Sequence, residues 1–332
     1  MMSTLHKYGD KRIQFSKGAP DVILKCCKNV DREKVLKANK TMADKALRVL
    51  ACAVREGDSI EESNMTFIGL VGMTDPVRAE VVQAIKQCEE AGIRPIMITG
   101  DNIDTARAIA IELNILKPGM KAVSGNDLNN MSEEEFKNCF RDISVYARVA
   151  PDHKTRIVKA WQKSGYVVAM TGDGVNDAPS IKNADIGVGM GLTGTDVTKD
   201  VADMVLADDN FATIVGAVGE GRRIYDNILK CIQYLLSSNI AEVVGIFLAS
   251  LFGFVLLQPV HLLWVNLVTD CVPALALGVE DEEPGIMKRK PRSKDAGIFA
   301  GGVAFDIVYQ GIVVAFLILL AYFIGHYIES GT

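Results

Sequence analysis

The run at 228–257 leaves the chain least freedom. It carries few charges and exceeds the ~20 residues that an α-helix needs to cross a bilayer. In hydrocarbon every backbone N–H and C=O needs an internal partner, so such a run is expected to be a helix. Two more runs, 260–279 and 305–328, have the same character. Hydrophobic residues make up 49% of the 332, and the mean hydropathy of +0.18 is high for a wholly soluble protein. The first two runs are separated by little more than Gln258-Pro259, which predicts a tight hairpin. The second and third are separated by a stretch holding Lys288, Arg289, Lys290, Arg292 and Lys294. Positive charge marks the cytoplasmic side, the side from which the more polar part upstream would enter the first span. Buried core helices of a large soluble protein would not produce that charge topology.

Upstream, the stretch 166–179 organises the rest. The apolar residues Val167, Val168, Ala169 and Met170 read as a buried parallel strand. The strand ends in Thr171-Gly172-Asp173-Gly174-Val175-Asn176-Asp177-Ala178-Pro179. Asp173 then sits at the carboxyl end of a strand, where open α/β sheets place their ligands. Gly172 and Gly174 permit a sharp turn, and Asp177 with Pro179 suits the start of a helix. Two carboxylates at a strand tip suit Mg2+ beside a phosphate. An acidic turn with a capping aspartate is the plainer reading, but the length of the string speaks against it.

Strands and helices alternate from 67 onward. Strands are expected at 67–73, 93–98, 145–149, 166–170 and 186–190, with helices at 79–91, 103–113 and 152–163 and one running to about 183. Ser132 with Glu135 fits a capping box for a further short helix. Alternation of this kind predicts a parallel sheet with helices on both faces. Residues 1–65 form a mixed region. Strands are expected at 11–16 and 50–54, around a helix over 31–50 with Val35, Leu36, Met42, Ala46, Leu47 and Leu50 apolar. The expected domains are 1–65, 66–222 and 223–332. A net charge of −5 argues against nucleic-acid binding. The seven cysteines include no C-x-x-C and read as reduced thiols.

Three strand tips carry polar groups: Thr99-Gly100-Asp101, Lys154 after a strand and loop, and Asp173 with Asp177. A hydroxyl and backbone amides can hold phosphoryl oxygens, a lysine can neutralise charge, and carboxylates can hold Mg2+. Together they suit phosphoryl transfer, in which positioning and electrostatics do most of the work. Alone, Lys154 would be a solvated lysine at a helix start.

These motifs, in this order, resemble the haloacid-dehalogenase-like phosphorylation domain of P-type ATPases. Lys17-Gly18-Ala19-Pro20 resembles that family's nucleotide-domain lysine motif. Asp75-Pro76 with Arg78 resembles its D-P-x-R element, and Arg148 to Lys154 its A-R-x-x-P-x-x-K element. The implied fold is an α/β haloacid-dehalogenase-like, Rossmann-type parallel sheet. Part of a mixed α+β nucleotide-binding domain precedes it, and three transmembrane helices follow. The resemblance implies that Lys17 and Arg48 line an ATP site. It implies that Thr99, Gly100, Asp101, Arg148, Lys154 and Asn176 face the phosphates, that Asp173 holds Mg2+, and that Asp177 assists. The family's nucleophilic aspartate lies in D-K-T-G-T, which this sequence does not contain. The chain is therefore expected to be an internal fragment that needs the missing N-terminal and C-terminal parts and cannot form a phosphoenzyme alone.

The apolar runs carry acids of their own. Asn239 and Glu242 lie three apart on one helix face, and Asn266, Thr269 and Asp270 share another. Pro273 should distort the second helix and free carbonyls nearby. An uncompensated acid at mid-membrane costs roughly 2.5–3.5 kcal/mol. These five oxygen-bearing side chains make a plausible Ca2+ site. Interhelical hydrogen bonding would explain Asn239 or Thr269 but not the acids. S-S-N-x-x-E followed by L-L-W-V-N-L-V-T-D resembles the sarcoplasmic-reticulum-type calcium pumps. Sodium/potassium pumps, which differ in the L-W-V-N segment, are the alternative. A membrane module that only binds nucleotide or ion, and a soluble phosphatase of the same superfamily, are rivals from other classes. The implied ligands are ATP, Mg2+ and transported Ca2+, in a multi-pass membrane protein with a cytoplasmic soluble part.

Overall fold

The computed structural model describes residues 1–44, 47–73, 77–294 and 296–330. Its contacts divide the chain into two compact units. One comprises Met1–Glu89 with Ile93–Ala212, the other Glu90–Gly92 with Thr213–Thr332.

The first unit opens with a five-stranded sheet in the order β1-β2-β4-β5-β3. Its strands are β1 (Met2–Tyr8), β2 (Lys11–Gly18), β3 (Cys27–Lys28), β4 (Arg48–Glu56) and β5 (Met65–Met73), and its helices are α1 (Pro20–Cys26) and α2 (Arg32–Ala43). Three of its pairings are antiparallel, and β3 with β5 is parallel. Ile23, Ala51, Ala53 and Met65 form the core under it. Two expectations change here. The helix over 31–50 ends at Ala43, because Arg48, Val49 and Leu50 pair with Met73, Gly72 and Val71. Ladder pairing outweighs the helical spacing of the apolar residues; Ala46 itself lies outside the described residues. The strand at 67–73 joins this first sheet rather than the parallel one, because its best partner is β4 across seven paired positions.

The parallel part follows. Its strands are β6 (Met97–Thr99), β7 (Lys121–Ser124), β8 (Ile143–Ala147), β9 (Ala169–Gly172), β10 (Ile186–Met190) and β11 (Met204–Leu206). They form two three-stranded sheets, β6-β8-β7 and β11-β10-β9, and all four pairings are parallel. A single sheet was expected. Ile98 of β6 and Met170 of β9 nevertheless share one cluster with Val158 and Ile181. The helices are α3 (Ala79–Glu90), α4 (Ile103–Glu112), α5 (Gly125–Asn130), α6 (Glu133–Cys139), α7 (Pro151–Lys163), α8 (Ala178–Asn183) and α9 (Asp196–Val201). The largest core gathers Leu128, Phe136, Phe140, Tyr146, Ile157 and Trp161. The expected capping box starts α6: Ser132 Oγ accepts from the Glu135 amide (3.2 Å), and Glu135 Oε2 accepts from the Ser132 amide (2.8 Å). The run at 166–170 is only partly a buried strand. Tyr166 and Val167 are exposed, β9 begins at Ala169, and only Met170 of it is buried. Among the described residues β9 pairs with β10 alone, so it has the character of an edge.

The second unit is helical. Helix α10 runs without interruption from Phe211 to Phe252, 42 residues and about 63 Å at 1.5 Å per residue. Gly253, at φ +77°, stops it. Next comes α11 (Pro259–Trp264), a π-helical turn at Val265–Thr269 and α12 (Cys271–Gly278), then α13 (Val303–Ser330). All three segments are long and apolar enough to cross a membrane. The protein is thus a multi-pass membrane protein with a soluble part. Within this unit, Arg222 donates to the carbonyls of Ala91, Ile286 and Arg289 at 2.9 Å each.

Candidate functional site

Parallel pairing brings strand ends together. Thr99 stands opposite Ala147, so Thr99-Gly100-Asp101 and Arg148 lie at the carboxyl ends of neighbouring strands. Thr99 Oγ1 accepts from the Asp101 amide (3.1 Å) and approaches Asp101 Oδ2 (3.4 Å), closing a tight turn. Arg148 adopts φ +50°, a left-handed conformation that a non-glycine residue rarely takes. It lines a cleft of about 430 Å3 together with Asp21, Asn39, Leu50, Gly100 and Asp101. The lysine-motif segment reaches the same cleft through Ala19 and Pro20, while Lys17 itself, at the end of β2, is exposed. Arg48 begins β4, but its side chain lies outside the described residues, as do Asp75 and Pro76. Arg78 donates to the Asp209 carbonyl (3.4 Å).

Around the second group, β9 ends at Gly172, a 3-10 turn covers Val175–Asp177, and α8 starts with Pro179 near its beginning. Gly172 is needed for room as well as for the turn: a Cβ there would stand 2.5 Å from that of Asp177. Asp177 is 6% exposed and pairs with Lys154 Nζ, while the Gly174 amide donates to its Oδ2 at 3.3 Å. Lys154 lies in the first turn of α7, where the helix dipole disfavours a cation, and the buried acid compensates. His153 fixes that helix start. Its Nδ1 accepts from the Ala150 amide (3.1 Å), which leaves Nε2–H to donate to Asn129 Oδ1 (2.7 Å). Asp173 and Asn176 are exposed. An exposed carboxylate on a fixed strand tip fits the donor chemistry of Mg2+, which keeps several waters and takes one or two carboxylates.

Residues that sequence reasoning missed hold Asp173 in place. The Thr195 amide donates to its carbonyl (2.9 Å), and the hydroxyl of Thr198, fully buried, donates to the Gly174 carbonyl (3.0 Å). The signal available was Thr193-Gly194-Thr195-Asp196, a turn string that follows β10 after Gly191 and Leu192.

In the second unit, acids of α10 meet the π-helical segment. Asn266 Nδ2 donates to both oxygens of Glu242, at 3.2 and 3.0 Å. Asp270 is 4% exposed; Ser238 Oγ donates to its Oδ2 (2.8 Å) and Tyr234 Oη to its Oδ1 (3.4 Å). Pro273 has no N–H to give the Thr269 carbonyl, which instead shares the single Tyr234 hydroxyl proton with Asp270 Oδ1 (3.3 Å to the carbonyl). The π turn is closed by the Asp270 amide on the Val265 carbonyl (2.8 Å). Asn239 and the Thr269 side chain are exposed and do not join this network. Among the described residues, no three His, Cys, Asp or Glu side chains cluster closely enough to hold a metal by themselves. Ser238 was legible only as part of the S-S-N-x-x-E string, and nothing in the sequence singled out Tyr234.

A parallel α/β unit with a lysine-bridged acid and an exposed acid at one strand tip has a known counterpart. Residues 11–185 match the haloacid dehalogenase-like hydrolases, and the chain belongs to that family. Residues 254–332 match the C-terminus of cation transporting ATPases, which bears out the resemblance to P-type calcium pumps. The chain is 47% identical to calcium-transporting ATPase 1 of Bacillus cereus and 46% identical to a calcium-transporting ATPase of Bacillus subtilis. It is 41% identical to the endoplasmic reticulum-type calcium-transporting ATPase 3 of Arabidopsis thaliana. These alignments cover 100%, 98% and 99% of the chain but 39%, 39% and 36% of the relatives. The chain thus spans about two fifths of their length.

Proposed function

We propose that this chain carries part of an ATP-driven Ca2+ transporter that works through an aspartyl phosphate. One observation carries the reading above all. Two carboxylates, Glu242 and Asp270, face each other's helices inside apolar segments and are held there by Asn266, Ser238 and Tyr234. Acids so placed are expensive without a function, and a bound divalent cation would supply the missing charge. Asn239 and Thr269, on the same two helices, would complete an oxygen shell after a small rotation.

In the soluble unit, ATP would enter the cleft beside Ala19, Pro20 and Asp21, with Lys17 and Arg48 at its edge. Thr99, Gly100, Asp101, Arg148 and Asn176 would face the phosphates. Mg2+, held by Asp173, would neutralise phosphoryl charge. Lys154, anchored by Asp177, presents a fixed cation to the same strand tips. Among the described residues, β6 and β9 each pair on one side only. Their tips carry these groups, and Ile98 and Met170 share a cluster. A strand ending in D-K-T-G-T would fit between them and deliver the nucleophile; the chain would then work together with the remaining parts of such a pump.

The test is ATP-dependent 45Ca2+ uptake by vesicles containing this chain with a polypeptide that supplies D-K-T-G-T and the other spans. Uptake should fall at least tenfold, a loss of about 1.4 kcal/mol or more, in Glu242→Gln, Asp270→Asn and Asp173→Asn. Undiminished uptake in the double variant Glu242→Gln/Asp270→Asn would overturn the ion site. Uptake of Na+ in place of Ca2+ would favour the sodium/potassium alternative.

A further inference from the structure

Asp209 follows β11 (Met204–Leu206) and is none of the residues read above as a phosphate or metal contact. Its carboxylate is fully engaged. Oδ1 accepts from the amides of Gly191 (2.6 Å) and Leu192 (3.0 Å), and Oδ2 from the amide and hydroxyl of Thr193 (2.7 Å each). Four donors converge on one anion, as they would on a bound phosphate in a backbone nest. Asp209 also holds φ +49°, a conformation that aspartate tolerates better than most side chains. Arg78 secures its carbonyl from the other side.

The loop it grips has no slack. A Cβ on Gly194 would fall on the Met190 carbonyl oxygen, so the turn between β10 and α9 closes only with glycine there. The loop leads straight to Thr195 and Thr198. The Thr195 amide holds the Asp173 carbonyl (2.9 Å), Thr198 Oγ1 holds the Gly174 carbonyl (3.0 Å), and the two hydroxyls bond each other (2.8 Å). An unbroken run of hydrogen bonds and short backbone therefore joins the Asp209 carboxylate to the peptide that carries Asp173.

We propose that Asp209 is a positioning residue for the Mg2+ site: its carboxylate sets the 191–194 loop, the loop sets Thr195 and Thr198, and these aim Asp173. The inference rests on the reading of Asp173 as the Mg2+ ligand. It requires a carboxylate in particular. An asparagine can accept on one side only, and its NH2 would face the donors of Thr193 or of Gly191 and Leu192.

The probe is Mn2+ alone, titrated into the detergent-solubilised chain and followed by electron paramagnetic resonance of the free ion. The variants are Asp173→Asn, Asp209→Ala, Asp209→Asn and the milder Thr193→Val, which removes one of the four donors. Ile143→Val serves as a control that loosens the core away from the loop. Outer-sphere partners of metal ligands typically change affinity 10–100-fold. The expected result is that Asp209→Ala and Asp209→Asn raise the Mn2+ Kd about tenfold and Thr193→Val two- to threefold. Ile143→Val should lower the melting temperature with Kd unchanged. If Asp173→Asn weakens binding while Asp209→Asn and Thr193→Val leave it unchanged, the positioning role is wrong and the metal site stands. If Asp173→Asn leaves Kd unchanged, the metal site itself is wrong. A Kd raised equally by Ile143→Val would reduce Asp209 to a general stabilising role and overturn the proposal.

Discussion

Replacing Lys154 with methionine keeps the length and apolar stem of the side chain and deletes its charge. In the structure the Lys154 side chain is 19% exposed and that of Asp177 9%, so the pair is largely out of water. The variant leaves the Asp177 carboxylate with the Gly174 amide at 3.3 Å in place of a cation. Removing one partner of a buried pair costs about 3–5 kcal/mol. The surviving hydrogen bond and the partial solvent access of Lys154 bring that to about 2–3 kcal/mol. For a unit of roughly 200 residues, each kcal/mol moves the melting midpoint by about 2–4 °C, which predicts a fall of about 4–12 °C. The chain has two tryptophans, of which Trp161 lies in the core of the soluble unit and Trp264 in an apolar helix. In a Trp264→Phe background, the emission of Trp161 follows melting of that unit alone. Adding Asp177→Asn to Lys154→Met removes the uncompensated charge and should recover about half of the loss. A fall of less than about 2 °C, or a double variant no better than the single one, would refute the electrostatic account of this pair.

Three further outcomes follow from other contacts. Desolvation tends to raise the carboxyl of Asp209, but donors from Leu192, Thr193 and Gly191 outweigh it and hold the group down at about 2, against an ordinary value of 3.8. Stability from a depressed carboxyl is fully present above the unfolded value and is lost as pH falls through the folded one. The gap in Trp161 melting midpoint between the native chain and Asp209→Asn should therefore be widest above pH 4 and should close toward pH 2. Ser132→Ala removes the cap of α6, and hydrogen exchange at its first-turn amides should speed up about fivefold. Tyr234→Phe leaves the Thr269 carbonyl without its hydroxyl donor at a cost of about 1–3 kcal/mol. Trp264 emission should report earlier melting, and adding Pro273→Ala, which returns an amide N–H to that carbonyl, should restore most of the loss.

Sequence showed more of the chemistry than of the architecture, for a physical reason. A short acidic string after an apolar run leaves few conformations, so the sequence alone places Asp173 and Asp177 at a strand tip. The long apolar runs were equally legible, since a bilayer permits little besides helices. Pairing partners were not legible. β5 and its neighbour β4 look like strands of any sheet, and only register chose the antiparallel partner over the parallel layer. The pairing of Lys154 with Asp177 depends on two residues 23 apart, one in the first turn of α7 and one in the 3-10 turn before α8, meeting in space, which local pattern does not encode. Thr195 and Thr198 act through an amide and a buried hydroxyl, groups that carry no distinctive spacing. The π turn at Val265–Thr269 was foreshadowed by Pro273, but its extra residue per turn was not.

The proline that follows this π turn leaves the second apolar helix with an acceptor to spare. A regular helix spends every carbonyl on its own amides and has none to offer outside. Here one acceptor, on Thr269, is satisfied by a phenol from the neighbouring helix, and a phenol can swing aside by rotation about single bonds. The oxygen can thus change partners while the helix keeps all its rungs, so under the proposed function a cation would bind and leave at this level without unwinding.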